Sequence, residues 1–235
     1  RNYETLELTL DPGTNIFYGE NAQGKTNILE SVYLCGTTKS HKGSKDREMI
    51  RFDQEEAHIR MKLDRDGSSY SIDMHLKKNR PKGIAINGVP IRKAGELLGL
   101  GNFVFFSPED LNIIKSGPGE RRRFMDLELC QLSKVYLFQL SNYNKILNQR
   151  NKLLKEITFR PEYLDTLDVW DRQLVQYGER VIREREKFVG RLNEIIGGIH
   201  QRLSGGRETL VIHYEKNVEP EEFEARLTAN RDRDL

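Results

Sequence analysis

Two glycines, a lysine and a threonine stand at fixed spacing near the start of the chain: Gly19, four residues, then Gly24, Lys25 and Thr26, within "GENAQGKTN" at 19–27. That is the G-x-x-x-x-G-K-[ST] pattern of a phosphate-cradling loop. The glycines let the backbone curl until several N–H groups face one point. Lys25 has the reach to meet the β and γ phosphates of a nucleotide, and the Thr26 hydroxyl is placed to ligate Mg²⁺. The glycine-rich turn works only between a strand and a helix, so the flanks decide the reading.

The flanks have the required texture. "TNIFYG" at 14–19 is a β-branched and aromatic run that predicts a buried strand. "KTNILESVYLCG" at 25–36 carries Ile28, Leu29, Val32 and Tyr33 at helical spacing. A helix starting at Lys25 would aim its positive dipole end at the phosphates. Before the loop, "YETLELTL" at 3–10 alternates as an amphipathic strand does, and "DPG" at 11–13 turns the chain into the loop strand. After the first helix, 37–53 is polar and basic and reads as a loop. "AHIRMKL" at 57–63 and "YSIDMHLKK" at 70–78 flank a turn at 64–67 and predict a hairpin. "IAINGVPI" at 84–91 predicts a second one around Asn87-Gly88, and "NFVFFS" at 102–107 a buried strand. Ser107, Pro108, Glu109 and Asp110 supply a cap, a first-turn proline and first-turn acids for a helix.

From about residue 120 to 203 the pattern is almost wholly helical. Leu140, Tyr143, Leu147, Leu154 and Ile157 form one apolar stripe. Leu167, Trp170, Leu174, Tyr177, Val181, Phe188, Leu192, Ile195 and Ile199 form another, with Trp170 expected in the core. "TFRPEY" at 158–163 breaks them into an antiparallel pair whose second helix would run about 40 residues, or ~60 Å. "ETLVIHYE" at 208–215 returns to strand, and 219–232 starts another helix. The fold class is therefore α/β: a head lobe with hairpins over 1–110, an inserted helical lobe over 111–205, and the start of a return to the head over 206–235.

Composition narrows the class. The 235 residues are 37% hydrophobic and 31% charged with a net charge of +2, so nucleic-acid binding would have to come from local clustering. Cys35 and Cys130 lack ligand spacing and read as buried thiols of a reducing, cytoplasmic compartment. No run approaches the ~20 apolar residues of a membrane span. The first residue is Arg1 rather than Met, so the natural start is expected upstream.

Hairpins directly after the loop helix argue against a plain kinase or small GTPase, in which helices alternate with strands. The layout resembles the ATPase head of the SMC and ABC class. "NIFYGENAQGKTNILESVYL", "TTKSHKGSKDREMIR", "FFSPEDLNIIKSGPGERRRFMDLELCQLS" and "LTANRDRDL" together resemble the RecF family along the whole chain, the third being the most particular to it. The resemblance implies ATP held by Gly19, Glu20, Asn21, Ala22, Gln23, Gly24, Lys25, Thr26 and Asn27, with Thr26 on Mg²⁺. It also implies that Arg1 and Asn2 lie near the nucleotide, and that Ser107 to Asp110 match the lobe-joining loop that senses γ-phosphate or metal. It implies an ATP-dependent homodimer on duplex DNA beside single-stranded gaps, working with RecR and RecO to load RecA, and no membrane. The family's ATPase also needs a signature motif ending in SxGQ and a later apolar strand ending in acids. Neither is present, so the chain is expected to be the N-terminal two-thirds of such a protein, without a complete hydrolytic site.

Three basic clusters could meet nucleic-acid phosphates: Lys39, His41, Lys42, Lys45 and Arg47; Lys77, Lys78, Arg80 and Lys82; and Arg121, Arg122 and Arg123. The second is the expected DNA contact. Each could equally be a solvated face, one arginine of the triplet is expected to pair with Glu120 or Asp126, and His41 could touch nucleotide or solvent. Two rival functions remain: a kinase or transport ATPase, and a scaffold whose helical pair is the working part.

Overall fold

The computed structural model describes Arg1–Leu235, and the chain divides into two compact units, Arg1–Leu127 and Glu128–Leu235. In the first unit, helix α1 (Lys25–Thr37) and the short α2 (Asp46–Met49) precede a four-stranded antiparallel meander. Its strands are β1 (Glu56–Arg65), β2 (Ser68–Lys77), β3 (Arg80–Ile86) and β4 (Val89–Pro90), in that spatial order. Asp66-Gly67 and Asn87-Gly88 close the first and last hairpins with positive φ at both positions (51° and 75°; 51° and 78°), the geometry that suits strand twist. Register then fixes the core. Met61, Ile72 and Ile86 stand side by side across three strands, as do Ile59, Met74 and Ile84. Ile72, Met74 and Leu76 are fully buried against Leu34 and Cys35 of α1, with Met49, Ile50 and Leu97 completing the cluster.

Four segments expected as strands carry no ladder: 3–10, 14–19, 102–107 and 208–215. Many of their apolar side chains face solvent, with Ile16 78%, Tyr18 91%, Val104 88% and Phe106 81% exposed, while Phe17, Phe103 and Phe105 are half-buried. A strand exists only when a neighbour takes its backbone N–H and C=O groups, and the only sheet is the meander. The polar 37–53 segment, expected as a loop, contains α2. Ser107 to Asp110 open a 3₁₀ turn (Pro108–Leu111) running into α3 (Asn112–Lys115). There the Ser107 backbone N–H and hydroxyl both donate to Asp110 Oδ2, at 2.5 and 3.2 Å.

Helix α4 (Pro118–Leu132) leads to the second unit, which is built on α5 (Lys134–Ile157) and the 38-residue α6 (Leu167–Ser204). The turn Pro161–Thr166 joins them where the break was expected. Arg150 meets Asp171, 21 residues on, and Tyr136 meets Arg185, 49 residues on, so the helices run antiparallel about that turn. At ~1.5 Å per residue, α6 is about 57 Å long. The buried seam differs from the expected stripes. On α5 it comprises Tyr136, Gln139, Ile146, Arg150 and Ile157, while Leu140, Tyr143, Leu147 and Leu154 are half-buried. On α6 it comprises Leu167, Asp171, Leu174, Val175, Gly178, Val181 and Val189. Trp170 is only half-buried, and Ile195 and Ile199 are exposed. Phe223 accounts for part of this: it opens α7 (Phe223–Ala229) and its ring fills the notch at Gly178, so α6 turns that face inward. Helix α8 (Arg231–Asp234) ends the chain.

Candidate nucleotide-binding site

The loop between residues 14–19 and α1 has the backbone its sequence requires. Gly19 (φ +138°) and Gly24 (φ +97°) sit in regions that only glycine adopts without strain, and Ala22 joins them at +63°. Gly24 is the N-cap of α1, with no side-chain cap and no acid in the first turn. The opening N–H groups of the helix therefore meet no carboxylate of the protein's own, which leaves them and the dipole for an anion. The Lys25 ammonium folds back over the loop and donates to the Gly19 and Glu20 carbonyls at 2.8 and 2.5 Å. Glu20, Asn21, Ala22, Gln23 and Thr26 are exposed, and Asn27 is half-buried.

The first residues of the chain brace this loop. The Asn2 side-chain amide donates to the Ala22 carbonyl, and the Asn27 amide donates to Asn2 Oδ1 at 2.7 Å. The Tyr3 ring lies on Gly24, where a β-carbon would come within 2.8 Å of it. Arg1 turns the other way: Nε donates to the Glu48 carbonyl at 2.7 Å, Nη2 to Ser44 Oγ at 3.1 Å, and Nη1 lies 3.2 Å from Glu30. Glu30 is a buried carboxylate on α1 that also accepts from Ser40 Oγ at 2.5 Å. Two partners offset its desolvation, and Arg1 thereby ties α1 to α2. The family resemblance implies that Asn2 and Arg1 lie near the nucleotide, but no local pattern marks the Asn2 brace or the Arg1–Glu30 pair.

This geometry fits a bound polyphosphate. Glycines, helix terminus and Lys25 converge, and the Thr26 hydroxyl would give a magnesium ion one protein oxygen. No group of three His, Cys, Asp or Glu side chains is placed to hold a metal, so the remaining ligands of that ion would be phosphate oxygens and water, as is usual for Mg²⁺.

His41 packs its ring on Phe105 at 4.1 Å between centroids and edge-on to Tyr33 at 6.2 Å, and neither ring nitrogen has a partner. Burial holds its pKa below the ordinary value. The expected DNA contacts lie along β2 and β3. Lys77 pairs with Glu56 at 3.3 Å and Lys78 with Glu55 at 2.9 Å. Lys82 binds Asp46 at 2.8 Å and the Thr38 carbonyl at 2.6 Å, and Arg80 is exposed. In the arginine triplet, Arg123 lies 3.9 Å from Glu120, and Arg121 donates to the Ile113 and Ser116 carbonyls at 3.2 and 2.9 Å.

A phosphate loop opening a helix, with a hairpin meander behind it and a long helical pair following, defines a P-loop ATPase head. The chain belongs to the AAA domain family, which matches residues 1–203. Its particular likeness is to RecF, as the motifs implied. The DNA replication and repair protein RecF of Agathobacter rectalis is 62% identical over the whole chain, and that of Lachnoclostridium phytofermentans 60%. RecF of Clostridium perfringens is 44% identical over 93% of the chain. Among solved structures, the recombination mediator RecF with ATP, of the RecFOR pathway, superposes with a TM-score of 0.89 at 34% identity. RecF-ATPrS gives 0.87 at 35%, and both cover the entire chain. The chain spans 65% of the length of the first two relatives and 66% of the RecF-ATPrS chain.

Proposed function

We propose that this chain forms the ATP-binding part of a recombination mediator, a DNA-binding protein switched by ATP in DNA repair. The observation that carries the reading is the uncapped start of α1 under Lys25 and two positive-φ glycines, together with likeness to a RecF solved with ATP. Gly19 to Asn27 bind the triphosphate, Asn2 braces the loop, and Thr26 takes Mg²⁺. A second subunit supplies the signature motif, so ATP favours the homodimer because the dimer binds it better than the monomer does. The dimer grips duplex DNA beside a single-stranded gap and acts with RecR and RecO to load RecA. The head lobe over 1–110, the helical lobe over 111–205 and the returning segment over 206–235 are the working divisions of this reading, and the site of action is cytoplasmic. No helix is long and apolar enough to cross a membrane.

The transporter and kinase readings lose ground to the RecF likeness, which runs along the whole chain. The test is sedimentation of the full-length protein with ATP and Mg²⁺. Mass should double on adding ATP and stay monomeric in Lys25→Ala. A mass indifferent to ATP contradicts the switch.

A further inference from the structure

The three basic clusters are far apart in sequence, yet one residue or more from each lines a single cavity of about 320 Å³ in the first unit. Lys39 and Lys45 come from the segment after α1, Lys82 from β3, and Arg123 from the arginine triplet. Thr38, Ser40 and Ser44 add hydroxyls to the same wall. Asp46 is the one acid there, and Lys82 already neutralises it at 2.8 Å. Lys39 and Lys45 are exposed cations without an ion pair, and Arg123 has only the long 3.9 Å approach to Glu120. The cavity therefore carries a net charge of +3 from four cations and one acid.

Its walls are held in place from below. Thr38 closes α1 in the left-handed region at φ +65°, its N–H donating to the Leu34 carbonyl at 2.8 Å. Ser40 is anchored on buried Glu30, Ser44 on Arg1, and Lys82 on the Thr38 carbonyl. Those residues fix the shape, and Lys39, Lys45 and Arg123 remain for a ligand. Charge of one sign, a concave form and surrounding hydroxyls suit a tetrahedral anion. Lys77 and Lys78 of the expected DNA-contact cluster are instead each tied to a glutamate.

We propose that this cavity seats a backbone phosphate of DNA. The inference rests on the function proposed above and names where in the first unit the DNA would be held. Full-length protein with ATP and Mg²⁺ would be titrated with fluorescent gapped duplex across a salt series. The comparison is wild type, Lys39→Gln/Lys45→Gln, Arg123→Gln, and Arg47→Gln as an exposed neighbour outside the cavity. Losing one phosphate contact should make the slope of log affinity against log salt shallower by about 0.9. That change is expected in both cavity variants and not in Arg47→Gln, with fluorescent-ATP affinity kept throughout. Slopes equal to wild type overturn the cavity but leave the ATP switch standing. A loss of ATP affinity with the slope unchanged also overturns it, assigning the cavity to nucleotide phosphate. Absence of DNA binding by wild type removes the cavity proposal together with the function it rests on.

Discussion

The ring of Tyr3 rests on the α-carbon of Gly24, so that a β-carbon there would lie 2.8 Å from ring atom Cε2 and 3.0 Å from the Asn2 β-carbon. The start of the chain is thus packed onto the hinge of the phosphate loop. Gly24 also holds φ +97°, which a side chain strains. Gly24→Ala should weaken nucleotide binding by about fivefold to 150-fold, as ~1–3 kcal/mol of strain implies. Adding Tyr3→Ala should restore part of that loss, because it removes the clash and leaves the φ strain. Titration with a fluorescent ATP analogue checks both. Unchanged affinity in Gly24→Ala contradicts the loop geometry.

In the second unit, Arg150 donates to Asp171 at 2.6 Å with side chains 4% and 9% exposed, and Asp171 also binds Arg231 at 2.7 Å. Removing Asp171 leaves the buried Arg150 with only the Asp234 carboxylate at 2.9 Å. Asp171→Ala should cost about 3 kcal/mol of unfolding free energy, the low end for breaking a buried pair, because Asp234 remains. Asp168, half-exposed at 2.6 Å from Arg231, should cost about 0–1 kcal/mol when changed to Ala. Urea denaturation followed by circular dichroism measures the difference, and equal effects would contradict it.

Burial pushes the Cys35 thiol up to about 12, the nearby Asp73 charge adding to it. The native thiol should therefore ignore an aromatic disulfide reagent at pH 8, since its thiolate fraction is roughly a thousandfold below that of a free thiol. Unfolding should release full reactivity. Rapid labelling of Cys35 in the native protein would refute its burial.

His41 has its pKa lowered chiefly by burial, so the unfolded chain binds the proton more readily. Its neutral form contributes stability that is present above the ordinary histidine pKa of ~6.5 and is lost as pH falls through the folded value. His41→Phe keeps the ring on Phe105 and leaves no hydrogen bond unmade. The variant should lose less stability than wild type between pH 7.5 and 5.5, by about the proton-linked share. Denaturant midpoints at the two pH values decide it, and parallel losses would contradict the assignment.

The phosphate loop was legible because its chemistry is local. Fixed glycine spacing and the helical periodicity of Ile28 and Val32 placed α1 at Lys25, where it begins. The hairpins were legible for the same reason: Asn87-Gly88 and alternating β2 residues set turn and register together. Strand identity at 14–19 and 102–107 was not, because alternation reports a side chain suited to a sheet and never names the neighbour that completes it. On α5 and α6 the apolar stripe missed Arg150 and Asp171, which are buried because each finds an oppositely charged partner on another helix, and Gln139, buried although its side-chain oxygen meets no donor. The cavity escaped altogether. Lys39, Lys82 and Arg123 become neighbours only after β3 and α4 fold around the α1 terminus.

The central claim is that Lys25 and its loop control engagement of DNA. The direct measurement is the affinity of the full-length protein for gapped duplex DNA, with and without ATP and at two salt concentrations, beside Lys25→Ala. Binding that tightens with ATP, weakens with salt and loses its ATP response in Lys25→Ala is the predicted result. Binding indifferent to ATP, or an ATP response that survives in Lys25→Ala, would contradict it.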